Sequence, residues 1–320
     1  MAKEILPFEE IPFIQAKPRE RSLEPFDPLE ATMFIHNATD GPMYRFCIKA
    51  ADGPVESVWL NDEKGAKQIL LDEEGIWRKG PQTYEPFASL VPLHLISLEG
   101  EYHSKMRVRA QTALNDALAS GRIPGDAVRQ RLVDNIQRAI ADPTFKTWMG
   151  VRAELNGKTC LVTSTMDRIL RSCALDIVTS ALFGKSWGVI EDYTATNVKA
   201  NALAELMHEL HWRVADFTER EWRKNPRAGP AGRLLDTLDK FVLDEIDISR
   251  AKFASNPERP SDRMLDDWAK DESISTEEIR NLAMTFLTMG SENVSTALSW
   301  CLVLFSEHPR EQEEARQSFD

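Results

Sequence analysis

A glycine, a carboxylate and an amide stand in the middle of a long apolar run near the end of the sequence, as Gly290, Glu292 and Asn293. Glycine costs about 1 kcal/mol relative to alanine in a helix interior, and a buried carboxylate without partners is costly too. Sequences retain such breaks where something binds, so the segment Met289–Asn293 is a candidate binding site. The alternative for Glu292 is an ion pair with an arginine at a helix interface.

A second candidate site is the pair His103 and Arg107, which are four residues apart and therefore project from one face of a predicted helix. An imidazole and a guanidinium side by side could hold one or two carboxylates by charge-assisted hydrogen bonds. Lys105 and Arg109 lie nearby, so a solvated basic face explains the same spacing. The spacing leaves both interpretations open.

The helix that carries Gly290 has clear predicted ends. Ser275 and Glu278 form an S-x-x-E capping box at its start, and His308-Pro309 marks its end. About thirty residues at 1.5 Å each give a rod of about 45 Å. Because Glu292 and Asn293 lie at its centre, a transmembrane helix is not expected.

The remaining pattern predicts a mainly α protein. Residues 1–40 are rich in proline and charge and are expected to form an extended arm that ends in the turn Asp40–Pro42. Two strands are predicted at Met43–Lys49 and Val55–Leu60, joined by a turn at Ala51–Pro54. Helices are predicted at about 62–73, 99–119, 125–141, 158–183, 194–223, 231–254 and 275–307, and from Pro309 onward.

Composition narrows the class of protein. The chain has 320 residues, is 42% hydrophobic and carries a net charge of -12, so a large core is possible and nucleic acid is not an expected partner. The four cysteines have neither C-x-x-C nor metal-ligand spacing, which favours reduced thiols inside a cell. Neither a signal peptide nor a transmembrane anchor is recognisable, so we expect a cytoplasmic or mitochondrial protein.

The order of these motifs resembles the cytochrome P450 family, the heme-thiolate monooxygenases. Gly100–His103 with Arg107 is similar to the family's G-x-x-H/W-x-x-x-R segment, and Met289–Val294 is similar to A-G-x-D/E-T-T on its long distal helix. Further similar segments are Gly41–Phe46, Leu175–Gly184, Leu298–Trp300 and Glu307–Pro309, while Leu6–Pro12 and Asp72–Gly75 resemble the mitochondrial branch.

The resemblance implies roles for particular residues. His103 and Arg107 would contact the heme propionates. Met289 and Gly290 would lie against the heme, Phe286 and Met289 would line the substrate pocket, and Glu292 and Asn293 would act in catalysis. The segments Pro81–Leu98 and Ala202–Phe217 would face a small apolar substrate. A ferredoxin or a reductase would supply electrons. The implied fold is one helical domain over residues 41–320.

The sequence departs from the family at two points. Asn293 replaces the threonine that helps to deliver protons, and an amide can hold a water but cannot relay a proton as a hydroxyl does, so Glu292, water, Ser295 or Thr296 would have to serve. None of Cys47, Cys160, Cys173 and Cys301 lies in the F-x-x-G-x-x-x-C loop that supplies the thiolate ligand.

We therefore expect a domain that is incomplete at its C-terminus, has no metal ligand of its own and is inactive alone. One side of the long helix is expected to be exposed, and the first sheet is expected to have an unpaired edge. A non-enzymatic helical protein with an apolar pocket is the alternative function. An unrelated all-α protein would need several ordered coincidences.

Overall fold

The structure is a computed structural model that describes residues 43–50, 53–60, 63–71, 79, 81–145, 147–155, 157–163, 166–191, 198–215 and 221–318. The predicted arm at 1–40, the turn residues Asp40–Pro42 and the segment Asp72–Gly75 lie outside the described residues. The described part is mainly α, as predicted, with two small antiparallel sheets.

The first sheet confirms both predicted strands. β1 (Met43–Ala50) pairs with β2 (Gly53–Leu60), and Met43 lies opposite Leu60. Among the described residues this sheet has two strands, so each strand has an edge that no further described strand covers.

The helices follow the predicted order. They are α1 (Glu63–Leu71), α2 (Pro81–Leu90), α3 (Gly100–Ala119), α4 (Gly125–Ala141), α5 (Met166–Phe183), α6 (Val198–Ala215), α7 (Gly229–Ser255), α8 (Met264–Lys270), α9 (Thr276–Glu307) and α10 (Pro309–Gln317). Two short 3-10 helices lie at Leu95–Ser97 and Glu221–Lys224.

Two predicted boundaries were wrong and two helices were missed. The helix predicted from residue 158 begins at Met166, because Lys158–Val162 instead forms β4 and pairs with β3 (Val151–Leu155) across a turn at Gly157, which has a φ of 73°. The helix predicted to reach residue 223 is described as α-helix over Val198–Ala215, and Glu221–Lys224 is a 3-10 helix instead. The helices α2 and α8 were missed, since Pro86 lies inside α2 and α8 has only 7 residues.

The chain divides into two compact units. The first contains the described residues up to Leu90 together with His208–Gly229, and the second contains Val91–Met207 with Pro230–Asp320. The second unit holds α3, α4, α5, α8 and α9, and with them both motifs that the sequence singled out. Its long helix α9 packs along α5.

The start of α9 is fixed as predicted. The Ser275 side chain accepts a hydrogen bond from the Glu278 backbone N–H at 3.1 Å, and the Glu278 carboxylate accepts one from the Ser275 N–H at 2.7 Å. Burial would raise the pKa of Glu278, but these bonds, together with those from Tyr102 and the charge of Arg109, hold it below the usual range. This end of α9 is therefore tied to α3.

A buried charge cluster joins α5, α7 and α8. Arg263 donates to Glu245 at 2.5 Å, to Asp266 at 3.1 Å and to the Phe183 carbonyl at 3.1 Å, and Lys252 donates to Asp266 at 2.6 Å. Burial alone would raise the pKa of Glu245, but its bonds from Lys185 and Arg263 outweigh this and lower it. The cluster is fully paired and so structural.

Candidate functional site

The segment Met289–Asn293 lies at the midpoint of α9, which runs as one uninterrupted helix from Thr276 to Glu307. Gly290 faces α5. A Cβ atom at this position would lie 2.8 Å from Val178 Cγ2, which is closer than real Cβ atoms come to other atoms. The glycine therefore allows the backbones of α9 and α5 to approach each other.

Glu292 points toward α5 as well, where Arg171 meets it. Arg171 Nη2 donates to Glu292 Oε1 at 3.2 Å, and Arg171 Nε lies 3.1 Å from Oε2 without hydrogen-bond geometry. The side chains are 31% and 13% exposed, respectively. This is the ion pair at a helix interface that the sequence left open as an alternative.

Met289 and Asn293 share another face of α9, one turn apart. The Asn293 amide lies 3.8 Å from the Met289 sulfur; Asn293 is exposed and Met289 is half-buried. Ser295 is buried and its hydroxyl donates to the Glu292 carbonyl at 2.9 Å, whereas Thr296 is exposed. Of the two hydroxyls proposed to replace the family's threonine, those of Ser295 and Thr296, only that of Thr296 belongs to an exposed residue.

Phe286 lies one turn before Gly290 and is half-buried. Its ring contacts Trp268 of α8, with ring centres 5.7 Å apart at an angle of 42°. The Trp268 indole N–H donates to the Arg109 carbonyl at 3.3 Å, so Phe286 packs against a residue that also anchors α3.

His94 is a site residue that the sequence did not reveal. It is completely buried, its Nδ1 accepts a hydrogen bond from the Ile96 N–H at 3.2 Å, and its Nε2 lies 2.9 Å from Thr288 Oγ1. Because Nδ1 accepts, the ring proton lies on Nε2 and is donated to Thr288. The Leu95 N–H also donates to Thr285 Oγ1 at 3.1 Å. These bonds hold the 3-10 helix Leu95–Ser97 against α9, next to Met289.

The second predicted site lies on α3, where His103 is half-buried and Arg107 is exposed. The neighbouring side chains Tyr102 and Arg109 both donate to Glu278 Oε1, at 3.2 and 3.3 Å. This contact places α3 beside the start of α9, and Asn293 lies 15 residues beyond Glu278, or about 22 Å along the helix. Helix α3 therefore has one face that contacts the start of α9 through Tyr102 and Arg109, and a second, cationic face that carries His103 and Arg107.

The second half of α9 exposes large apolar side chains, as predicted. Leu304 is 51% exposed and Val294 is 47% exposed, and the others are Leu298, Trp300, Leu302 and Val303. A shallow cavity of about 330 Å³ lies at the junction with α10, lined by Leu304, Phe305, His308 and Glu311.

The sequence matches the model of one protein family, Cytochrome P450, over residues 37–320. The chain belongs to the cytochrome P450 family. Heme is the cofactor of this family, and its oxidoreductase chemistry is monooxygenation. No curated protein sequence matches the chain.

Solved structures show the same P450 fold. The crystal structure of the cytochrome P450 CYP102L1 has a TM-score of 0.64 at 16% identity, with 90% of this chain and 61% of that chain covered. The cytochrome P450DA heme domain gives 0.69 at 17% identity, with 95% and 62% covered, and a mutant of that domain gives 0.68 at 19%. The P450 chain therefore spans about three-fifths of these neighbours.

No helix among the described residues has both the length and the apolar composition needed to cross a membrane. No group of three or more histidine, cysteine, aspartate or glutamate side chains among them could hold a metal ion.

Proposed function

We propose that this P450 is a heme-dependent monooxygenase that acts on a small apolar substrate. The match to the P450 family over residues 37–320 carries the proposal. Because the chain spans 61% and 62% of its solved neighbours, the whole protein's activity, substrate and partners are all part of the proposal. A ferredoxin or a reductase would supply electrons in a cytoplasmic or mitochondrial compartment.

The residues on one face of α9 fit a heme. Met289 and Asn293 present an accessible thioether and amide, which could line the distal side of the cofactor and the substrate pocket with Phe286. Gly290 would contribute indirectly. Val178 already fills the space that its missing side chain leaves, so the glycine would allow α9 to pack closely against α5. When bound, heme supplies the iron at which dioxygen is reduced and oxygen is inserted into the substrate.

The cationic face of α3 fits the propionates. Arg107 is exposed, and His103 lies one turn before it on the same face. A guanidinium can hold a carboxylate through two parallel hydrogen bonds, and an imidazole can add a third. This pair would orient the cofactor without taking part in the chemistry.

Proton delivery would depend on Glu292 and water. Asn293 can hold a water but its amide does not exchange a proton on the time scale of catalysis. Glu292 is one residue away, and only one of its two oxygens accepts a directed hydrogen bond from Arg171. Its second oxygen is buried 3.1 Å from Arg171 Nε, so proton transfer through Glu292 would require the pair with Arg171 to open toward water. Ser295 is committed to the Glu292 carbonyl.

None of the four cysteines lies in the family's F-x-x-G-x-x-x-C motif, which supplies the thiolate ligand. Burial and the negative charge of Asp176 raise the pKa of Cys173 to about 11, so it is a neutral thiol at pH 7. Cys160 is half-buried and its thiol donates to the Ala153 carbonyl at 3.5 Å, and Cys301 is exposed on α9. We therefore expect these 320 residues, taken alone, to bind heme but not to supply the thiolate that the proposed monooxygenation requires.

Heme titration of the purified chain tests this proposal. We expect saturable binding, and we expect Arg107→Ala to weaken it by about 3- to 10-fold through loss of a charge-assisted contact. Lys105→Ala is the matched control, because Lys105 lies two residues away on the opposite side of α3. Absence of saturable binding, or an equal effect of the two variants, would contradict the proposed cofactor site.

A carbon monoxide difference spectrum of the heme-loaded chain tests the cysteine assignment separately. We expect no thiolate-type band. A thiolate-type band that disappears in Cys301→Ser or Cys160→Ser would show that one of these residues binds the iron after all.

A further inference from the structure

A buried cation lies in the first unit, which contains neither of the two motifs discussed so far. Arg213 of α6 is 2% exposed, although arginine is rarely buried without full pairing. Its Nε donates to Glu209 Oε1 at 2.7 Å and its Nη1 donates to Ser89 Oγ of α2 at 3.2 Å. Its guanidinium carbon lies 5.4 Å from the centre of the Trp222 ring.

This cluster has more hydrogen-bond donors than acceptors. A guanidinium has five N–H groups, and the bonds to Glu209 and Ser89 use two of them. Trp222 is 7% exposed, and its indole N–H is buried with no hydrogen-bond partner. Ser89 accepts from Arg213 and donates its own proton to the Pro86 carbonyl at 2.7 Å. A buried N–H without an acceptor costs free energy unless a ligand supplies one.

The charge of the cluster is only partly balanced from within. Glu209 is 33% exposed, so solvent screens its attraction for the buried guanidinium. The adjacent Arg223 contacts Glu85 at 2.5 Å, so that carboxylate is already engaged. What remains is a buried positive charge beside an unused indole N–H.

We propose that Arg213, Trp222 and Ser89 form a binding site for the carboxylate of an amphipathic ligand with an apolar body. A carboxylate oxygen can accept from the guanidinium while the other accepts from the indole N–H. Glu209, at 33% exposed, is the solvent-facing member of this cluster. Ser89 and Arg213 belong to the two segments for which the sequence predicts substrate contact. That the ligand is the substrate rests on the proposed monooxygenase function; the binding itself does not.

Calorimetric titration with decanoate and decanol tests the site, because the two probes share an apolar chain and differ in the charged group. The full 320-residue chain is used without heme, so the result does not depend on heme binding. We expect decanoate to bind about 10- to 100-fold more tightly than decanol.

Four variants sharpen the test. Arg213→Met keeps the length of the side chain and should abolish the preference for decanoate. Trp222→Phe keeps the ring and removes the N–H, so decanoate should bind about 5- to 10-fold more weakly. Glu209→Gln removes the carboxylate that competes with decanoate for Arg213, so it should tighten decanoate binding by about 2- to 5-fold. Arg223→Met is the control, since that arginine already contacts Glu85, and should leave the preference unchanged.

Equal affinities for the two probes would overturn the proposal, as would a preference that Arg223→Met abolishes and Arg213→Met does not. If Arg213→Met does not fold, judged by its thermal transition, Trp222→Phe and Glu209→Gln still decide through their opposite signs. Loss of heme binding with retained decanoate preference would contradict the proposed monooxygenase function alone. Retained heme binding without the preference would contradict this site alone.

Discussion

The two halves of α9 are both rich in apolar residues but have different surroundings. In the first half, Thr276–Ser291, most side chains are buried, and Leu282, Met284 and Leu287 are at most 1% exposed. In the second half, Ser295 is the only buried residue and the large apolar side chains are exposed. Apolar content alone therefore does not show which half of the helix other helices cover.

Truncation of one leucine in each half should show the difference between the two halves most strongly. Leu287→Ala removes a fully buried side chain and should lower the free energy of unfolding by about 2 to 5 kcal/mol. Leu302→Ala removes a side chain that is 44% exposed and should cost less than about 0.5 kcal/mol. Urea denaturation followed by circular dichroism measures both.

Similar losses for the two variants would contradict the comparison, because they would require a partner for Leu302 in solution. Repeating the Leu302→Ala measurement at several protein concentrations tests whether that partner is a second copy of the chain. Only self-association makes the loss of stability depend on protein concentration.

The sequence predicted both ends of α9 correctly because their determinants are local. The capping box at Ser275 and Glu278 and the stop at Pro309 act within a few residues, and both ends are correct. The pair β3 and β4 was missed because Cys160–Val162 is compatible with either a strand or a helix, and only its pairing with Val151–Ala153 decides between them. Non-local pairing is not readable from one short apolar run.

The link between the 3-10 helix Leu95–Ser97 and α9 should show the next largest effect. His94→Ala removes a buried ring with bonds at both nitrogens and should cost about 1 to 3 kcal/mol. His94→Asn can keep the acceptor for the Ile96 N–H, and His94→Gln can keep the reach to Thr288. Each should recover part of the loss, as measured by urea denaturation.

Amide hydrogen exchange at Ile96 distinguishes the two rescues. We expect its protection to be retained in His94→Asn and reduced in His94→Gln. Equal protection in both variants would show that the histidine contributes by filling space and not through its two hydrogen bonds.

The candidate site shows where sequence reasoning stops. Gly290, Glu292 and Asn293 were recognisable because they interrupt an apolar run, but the sequence could not say that Gly290 meets Val178 or that Glu292 meets Arg171. Both partners lie more than a hundred positions earlier in the chain. His94 carried no recognisable pattern, since it stands alone between Leu93 and Leu95 and its partner Thr288 lies on another element.

The ion pair between Arg171 and Glu292 should show the smallest effect, and it bears directly on the role of Glu292. A double-mutant cycle with Arg171→Gln and Glu292→Gln should give a coupling free energy below about 1 kcal/mol, because Arg171 is 31% exposed and one of the two contacts lacks hydrogen-bond geometry. A weak pair leaves the carboxylate free to exchange partners with water, as proton delivery requires. A coupling above about 2 kcal/mol would instead indicate a strong structural pair, and Glu292 would then hold α9 to α5 as Gly290 does.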